Sequence, residues 1–156
     1  AVSPYILVEE AAAPFLRHAQ DRGIRLEIDL PVDLPDVGVD RSRISYVFAN
    51  LLSNAIKYSP VGGVVRLTAK LEKEKVLFSV VDKGCGIPKK FQKRIFEKFF
   101  RAPGQKVEGG VGLGLSIAKE IISAHHGRIT FSSAEGQGAT FTFSLDTTDK
   151  LVKGVS

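Results

Sequence analysis

The sequence has little cysteine and no long apolar run, and both absences restrict where the protein works. Cys85 is the single cysteine, so no disulfide can form within the chain. No segment approaches the roughly 18 consecutive apolar residues of a membrane span. The first ten residues also lack the basic stretch that precedes the apolar core of a secretory signal. These features predict a reducing, aqueous compartment, with the cytosol as the default.

Concentrated positive charge is missing as well. The 22 Lys and Arg residues exceed the 17 Asp and Glu residues by five, but they are scattered, and this disfavours nucleic-acid binding. A solvated surface whose excess charge favours a polyanion such as a nucleotide is the better interpretation. The length of 156 residues fits one domain, which we assign to residues 1–146, followed by a polar, frayed tail over 147–156.

The first half of the chain predicts two helices and three strands. Ser3 caps a helix that runs to about Arg22 and ends at Gly23, and Pro14 inside it predicts a kink or two abutting helices. Asp40 caps the second helix, which ends at Tyr58. The expected strands are 24–30, with alternating apolar residues, and 64–71 and 76–82, which form a hairpin.

The second half predicts two more helices and a second hairpin. A short helix follows Pro88, a mobile loop spans Arg101 to Gly110, and a third long helix spans Gly112 to His126 before a left-handed Gly127. The last hairpin pairs 128–133 with 139–145, so that Ile129 and Phe131 face Phe141 and Phe143. The pattern indicates an α+β two-layer sandwich, with a mixed, mostly antiparallel sheet and helices on one face.

Two common phosphate-binding motifs are absent. No GxxxxGK[ST] occurs, and GGVGLGLS does not fit the GxGxxG of a dinucleotide-binding βαβ unit,. The phosphate-binding chemistry therefore has to come from other motifs.

The second helix carries the first of these motifs, NLLSNAIKYSP. Asn50, Asn54, Lys57 and Tyr58 lie beside its apolar stripe, at the edge of the core. Amide oxygens suit Mg²⁺, and a lysine suits the phosphates that the ion bridges. The alternative is that these polar residues only solvate a helix face.

A second motif is DKGCGIP at 82–88, whose first residue, Asp82, places a carboxylate at the end of the expected strand 76–82. Asp82 can accept a hydrogen bond from an exocyclic amine such as that of adenine, while Gly84 and Gly86 let a flat ligand approach the backbone. The alternative is a plain β-turn. Cys85 within the motif is interpreted as a small packing residue and not as a nucleophile.

Three further motifs follow in order: IFEKFFR at 95–101, GGVGLGLS at 109–116 and GQGATF at 136–141. Core packing explains most of the Phe residues of IFEKFFR. In GGVGLGLS, glycines lead directly into a helix whose free N–H groups suit an anion.

Together the five motifs resemble the N, G1, F, G2 and G3 boxes of the histidine-kinase branch of the Bergerat-fold ATPases, and the resemblance spans Val8 to Leu145. It implies that the chain binds ATP with Mg²⁺ held by Asn54. Asn50 lies near the metal and phosphates, Lys57 binds phosphate, and Tyr58 forms a wall of the pocket.

The resemblance also implies roles for residues outside the second helix. Asp82 reads adenine, and Thr140 lies near it. The base pocket and the phosphate grip below a movable lid include Gly84, Gly86, Ile87, Gly110, Gly112, Leu113, Gly114 and Leu115. Arg101 is placed to reach the γ-phosphate. Lys83 and Cys85 depart from the commonest G1 pattern, at positions that tolerate change.

Asn50 favours the kinase branch. The hydrolysing relatives carry a glutamate there as general base, whereas an amide cannot abstract a proton at neutral pH. The resemblance then implies transfer of the γ-phosphate to a histidine on a separate dimerisation domain. His18, His125 and His126 do not match the acceptor motif and are interpreted as surface or packing residues.

A histidine kinase implies further partners and a location. The expected partners are the dimerisation domain of the same protein and a downstream response regulator, with no nucleic acid. The expected location is cytoplasmic, and the parent protein could be membrane-anchored and homodimeric. An anti-sigma-factor type of serine kinase and a non-catalytic nucleotide-sensing module are the alternatives.

Overall fold

A computed structural model describes residues 1–84, 96, 114–134 and 137–149. Among these residues there are three α-helices and five β-strands. In chain order they are α1 Pro4–Asp21, β1 Arg25–Asp29, α2 Arg41–Tyr58, β2 Val64–Glu72, β3 Lys75–Asp82, α3 Gly114–Ala124, β4 Ile129–Ala134 and β5 Gly138–Asp146. The short helix expected after Pro88 and the loop expected over Arg101 to Gly110 lie outside the described residues.

The five strands form one sheet in the order β1-β2-β3-β5-β4. β1 pairs with β2 in parallel, and the other three pairings are antiparallel. Ile129 lies opposite Phe143 and Phe131 opposite Phe141, as the alternation predicts. The sheet is therefore mixed and mostly antiparallel, which confirms the predicted fold class.

The core lies between the helices and one face of this sheet. Phe48 of α2 meets Phe78 of β3 and Phe143 of β5 edge-on, with ring centroids 5.5 and 5.0 Å away, and all three side chains are fully buried. On the other face, the hydroxyls of Ser79 and Thr142 lie 2.8 Å apart across β3 and β5. The helices thus cover a single face, and α2 runs across the middle of it.

Of the two alternatives predicted around Pro14, two abutting helices are wrong, because α1 is one helix that includes Pro14. Pro14 and Glu10 are both exposed. The carbonyl of Glu10, which a proline four residues on cannot bond, is therefore open to water. The helix ends before Gly23, as the sequence predicts, and Gly23 adopts φ +71°.

The left-handed residue after α3 is His126, with φ +61°, and the prediction that it is Gly127 is wrong. The N–H of His126 donates to the Ser123 carbonyl and that of Gly127 to the Ile122 carbonyl, which are the two bonds of a Schellman motif. Gly127 is instead required by packing. A Cβ there would lie 3.1 Å from the carbonyl carbon of Ser144 and closer still to its oxygen.

The ordered chain continues beyond the expected boundary at Asp146. Thr147 is 3% exposed, and its N–H donates to the Glu74 carbonyl, while the N–H of Thr148 donates to the Asp36 carbonyl. Fraying from residue 147 is therefore wrong for these two threonines, since both are bonded to neighbouring segments.

Candidate functional site

Asp82 stands at the end of β3, where the sheet meets the carboxyl end of α2. It is 8% exposed, and one carboxylate oxygen accepts the N–H of Gly84 at 2.8 Å. Burial raises the pKa of the Asp82 carboxyl, an effect that backbone hydrogen bonds from Gly84 and Ala139 partly offset. A buried carboxylate with spare acceptor capacity can bind a ligand that presents an N–H donor.

The raised pKa has a consequence for stability. Between the ordinary pKa of an aspartate and the raised one, the folded protein holds a proton that the unfolded chain has released. The free energy of unfolding therefore falls as the pH rises through this window, and ionised Asp82 costs stability at neutral pH. A residue that lowers stability in this way is a candidate for function.

Two glycines allow neighbouring backbone segments to approach Asp82 closely. A Cβ on Gly84 would lie 2.9 Å from the carbonyl carbon of Tyr58 and closer to its oxygen. A Cβ on Gly138 would lie 2.6 Å from Cα of Lys83 and closer to the carbonyl oxygen of Asp82, and Gly138 has φ +92°. Both positions exclude larger residues, so three backbone segments converge on Asp82 at van der Waals distance.

The site has one end at Asp82 and a second end at Asn50, which lies further toward the amino end of α2. Its Oδ1 is buried without a hydrogen-bond partner among the described residues. An unsatisfied buried acceptor costs about 1–3 kcal/mol, which indicates a place that a cation or a donor would fill. Gly114, the first residue of α3, lies directly against this amide. A Cβ there would be 2.9 Å from Cγ of Asn50 and closer to Nδ2.

The first residues of α3 therefore face Asn50 with backbone N–H groups that have no partner within the helix. The positive end of the helix dipole is located there as well. Leu115 is half-buried and packs against the core, which fixes the first turn. This end of the site is suited to an anion, together with a cation bound to amide oxygen.

The α2 residues expected in the site lie where the sequence indicates. Asn50, Asn54, Lys57 and Tyr58 are all half-buried, between the buried stripe and solvent. The Lys57 ammonium lies 6.0 Å from the centre of the Tyr58 ring. Tyr58 lies eight positions after Asn50, so about 12 Å of helix joins the two ends.

Thr140 does not join the site. It pairs with Val81, whereas Asp82 pairs with Ala139. Because neighbouring residues of a strand point to opposite faces, Thr140 lies on the face away from Asp82, and Ala139 lies on the same face as Asp82. The prediction named the wrong member of this pair. The alternation of Phe141 and Phe143 already contained the signal, since residue 139 shares their face.

Six further residues predicted for the site lie outside the described residues: Gly86, Ile87, Arg101, Gly110, Gly112 and Leu113. Gly138 and Ala139 are the members that sequence reasoning did not select. Within the described ranges, no group of three or more His, Cys, Asp or Glu residues could hold a metal ion. No helix among the same residues is long and apolar enough to cross a membrane.

The family model described as histidine kinase-, DNA gyrase B- and HSP90-like ATPase matches residues 39–149. The chain belongs to this family of ATPases. The sensor histidine kinase WalK of Bacillus subtilis is 39% identical to it in an alignment of 148 positions, which covers 92% of this chain and 22% of WalK. The chain spans between 22% and 37% of the length of these curated relatives.

Solved structures agree with this assignment. The catalytic domain of the histidine kinase ThkA is 30% identical, with a TM-score of 0.82 over 96% of this chain and 95% of that domain. Full-length ShkA in complex with AMPPNP is 31% identical, with a TM-score of 0.84 over 94% of this chain and 31% of ShkA. ThkA in complex with the response regulator TrrA is 29% identical, with a TM-score of 0.78 over 96% of this chain and 42% of that ThkA chain. The chain therefore has the fold of histidine kinase catalytic domains, as its five motifs predict.

Proposed function

We propose that this chain is the ATP-binding catalytic domain of a sensor histidine kinase, which transfers the γ-phosphate of Mg-ATP to a histidine on a separate dimerisation domain. The observation that carries the proposal is the two-ended site along α2. It has a buried carboxylate, Asp82, at one end and a buried amide oxygen without a partner, on Asn50, at the other.

The Asp82 end fits adenine. The carboxylate already accepts the Gly84 N–H, and its remaining lone pairs accept from the exocyclic amine of adenine. Guanine has a carbonyl at that position, which a carboxylate repels. A hydrogen bond to a charged group contributes about 1.5–3 kcal/mol, so we expect roughly 10- to 100-fold preference for ATP over GTP.

The Asn50 end fits the phosphates and their metal. Asn54 would hold Mg²⁺ through its amide oxygen, with Asn50 one turn earlier on the same side of α2, and Lys57 would supply positive charge there. The N–H groups that begin at Gly114 bind phosphate oxygens. When bound, the ion neutralises the charge of the phosphates and aligns them.

The residues of α2 favour transfer over hydrolysis. The helix sequence RSRISYVFANLLSNAIKY contains neither Asp nor Glu, so α2 provides no general base to activate a water molecule against the γ-phosphate. An incoming imidazole is itself a nucleophile and needs no such base. Slow hydrolysis and efficient transfer to histidine are the expected combination.

The remaining partners follow from the same proposal. The acceptor histidine belongs to the dimerisation domain of the parent protein, and a response regulator receives the phosphoryl group downstream. The complex of ThkA with TrrA supports such a partnership. We place the domain in the cytoplasm, where ATP and response regulators are found.

A transfer assay in trans tests the proposal. The chain is mixed with the dimerisation domain of its parent protein, Mg²⁺ and ATP labelled at the γ-phosphate. We expect acid-labile label on the added domain, strong loss of transfer in Asn54→Ala, and unchanged transfer in Ser45→Ala, an exposed position on the same helix. Label on His18, His125 or His126 of the isolated chain, or on a serine of the added domain, would contradict it.

A further inference from the structure

His125, just after α3, is bonded through both nitrogens of its ring. Nδ1 lies 2.8 Å from the Ile121 carbonyl of its own helix, and Nε2 accepts the backbone N–H of Asp40 at 3.1 Å. Since a backbone N–H can only donate, Nε2 must be unprotonated, and Nδ1 must carry the hydrogen that it donates to Ile121. These two bonds fix one neutral form of the imidazole and one orientation of its ring.

The partner of this ring is the start of α2. Asp40 is the N-cap of that helix, and its carboxylate accepts the N–H of Arg43. The segment before it is attached to the sheet, since the N–H of Gly38 donates to the Asp146 carbonyl. His125 therefore connects the carboxyl end of α3 to a fixed point at the amino end of α2.

The opposite end of α3 is the phosphate end of the candidate site. α3 has 11 residues, which is about 16 Å of rigid helix. Between these two ends, α3 packs on the core through the buried side chains of Ala118, Ile121 and Ile122. Because the helix is rigid, a tilt of its His125 end on these contacts also displaces its Gly114 end.

A displacement of Gly114 in either direction changes its contact with Asn50. Its Cα hydrogens already face the Asn50 amide at a spacing that a Cβ could not occupy, so motion in one direction collides with Asn50. Motion in the other direction withdraws the N–H groups of α3 from the phosphates. The spacing of α3 from α2 at the site thus depends on the contact at the far end of α3.

We propose that His125 is a positioning residue, which holds α3 against the start of α2 and so sets the distance between the N–H groups of α3 and Asn50 at the phosphate end of the nucleotide site. The proposal rests on the function proposed above. It predicts that His125 affects binding of the phosphates and leaves binding of the adenosine part unchanged.

Two substitutions separate the bonds that the ring makes. In His125→Gln, the side-chain carbonyl reaches as far as Nε2 and can accept the Asp40 N–H. In His125→Asn, the shorter amide reaches only the Ile121 carbonyl. The control is His126→Asn, an exposed neighbour in which asparagine tolerates the left-handed conformation.

Calorimetry with adenosine and with Mg-AMPPNP measures the two parts of the site separately. We expect His125→Asn to weaken Mg-AMPPNP binding about 3- to 10-fold, the range for one lost hydrogen bond, with adenosine affinity unchanged. His125→Gln and the control should keep both affinities within about twofold. Equal loss for the two ligands would show a general loss of folding and overturn the proposal, as would full Mg-AMPPNP affinity in His125→Asn.

Measurements on the unaltered chain keep the proposal testable if a variant does not fold. Nitrogen NMR should show His125 protonated at Nδ1 only, and hydrogen exchange should show a protected Asp40 N–H. A ring protonated at Nε2, or an unprotected Asp40 N–H, would overturn the role of His125. Absence of Mg-AMPPNP binding by the unaltered chain would overturn the proposed function and, with it, this inference.

Discussion

Gly114→Ala tests the close contact between α3 and α2. Alanine is the better helix former by up to about 1 kcal/mol, so a helix considered alone would gain stability. In the folded protein the new Cβ would lie 2.9 Å from Cγ of Asn50 and closer to Nδ2, well inside the roughly 3.5–4.0 Å of normal carbon contact. Either the Asn50 amide or the start of α3 has to move.

The expected magnitude follows from two opposing terms. Overpacking costs about 1–3 kcal/mol, which exceeds the helix-propensity gain, so Gly114→Ala should lower the free energy of unfolding by up to about 2 kcal/mol. In an Asn50→Ala background the obstruction is absent, and the same change should raise it by up to about 1 kcal/mol. The sign of the effect should therefore reverse between the two backgrounds.

The unaltered chain, Gly114→Ala, Asn50→Ala and the double variant form a double-mutant cycle. Denaturant unfolding of these four proteins measures the coupling between the two positions. We expect about 1–3 kcal/mol between the two positions, in the range for residues in direct contact. Asn50→Ala by itself should be neutral or stabilising, because it removes a buried acceptor that has no partner,. Additive effects, with Gly114→Ala equally tolerated in both backgrounds, would refute the contact between Gly114 and Asn50 at the phosphate end of the site.

Three further tests address separate features of the structure. Asp82→Asn removes the carboxylate that costs stability when ionised, so the nucleotide-free domain should become more stable at neutral pH. Most of this gain should vanish as the pH falls below the raised pKa. Calorimetry should also show that the preference for ATP over GTP is greatly reduced. His126→Gly should raise the free energy of unfolding by about 1 kcal/mol, since glycine adopts φ +61° without strain,. Ala139→Val should weaken adenosine binding, whereas Thr140→Ala, on the other face of the sheet, should leave it unchanged. Equal effects of the two substitutions would contradict the register of β5 against β3.

Much of the fold could be predicted because its signals are local. The Ser3 and Asp40 caps and the apolar stripes of the helices depend on residues a few positions apart, and α1 and α2 begin as expected. The left-handed cap of α3 was misplaced by one residue. Glycine is the usual signal for that conformation, but at Gly127 the need for glycine arises from Ser144, 17 positions later in the chain.

The site could be predicted in its residue types but not in its pairings. Asn50 and Asp82 are recognisable from their motifs, since the chemistry that they supply is unusual at those positions. The contact of Asn50 with Gly114 and the bond of His125 to Asp40 join segments far apart in sequence. No local pattern encodes them, because they depend on how α3 packs against α2.

NMR titration tests the arrangement of the site most directly, because it follows individual backbone amides along α2, α3 and β5. With adenosine, we expect shifts at Gly84 and Ala139, near Asp82, and none at Asn50 or Gly114. With Mg-AMPPNP, shifts should appear at both ends. If adenosine shifts the Asn50 end, or if Mg-AMPPNP leaves Gly114 unshifted, the proposal that a nucleotide lies along α2 with adenine at Asp82 and phosphates at Asn50 is contradicted.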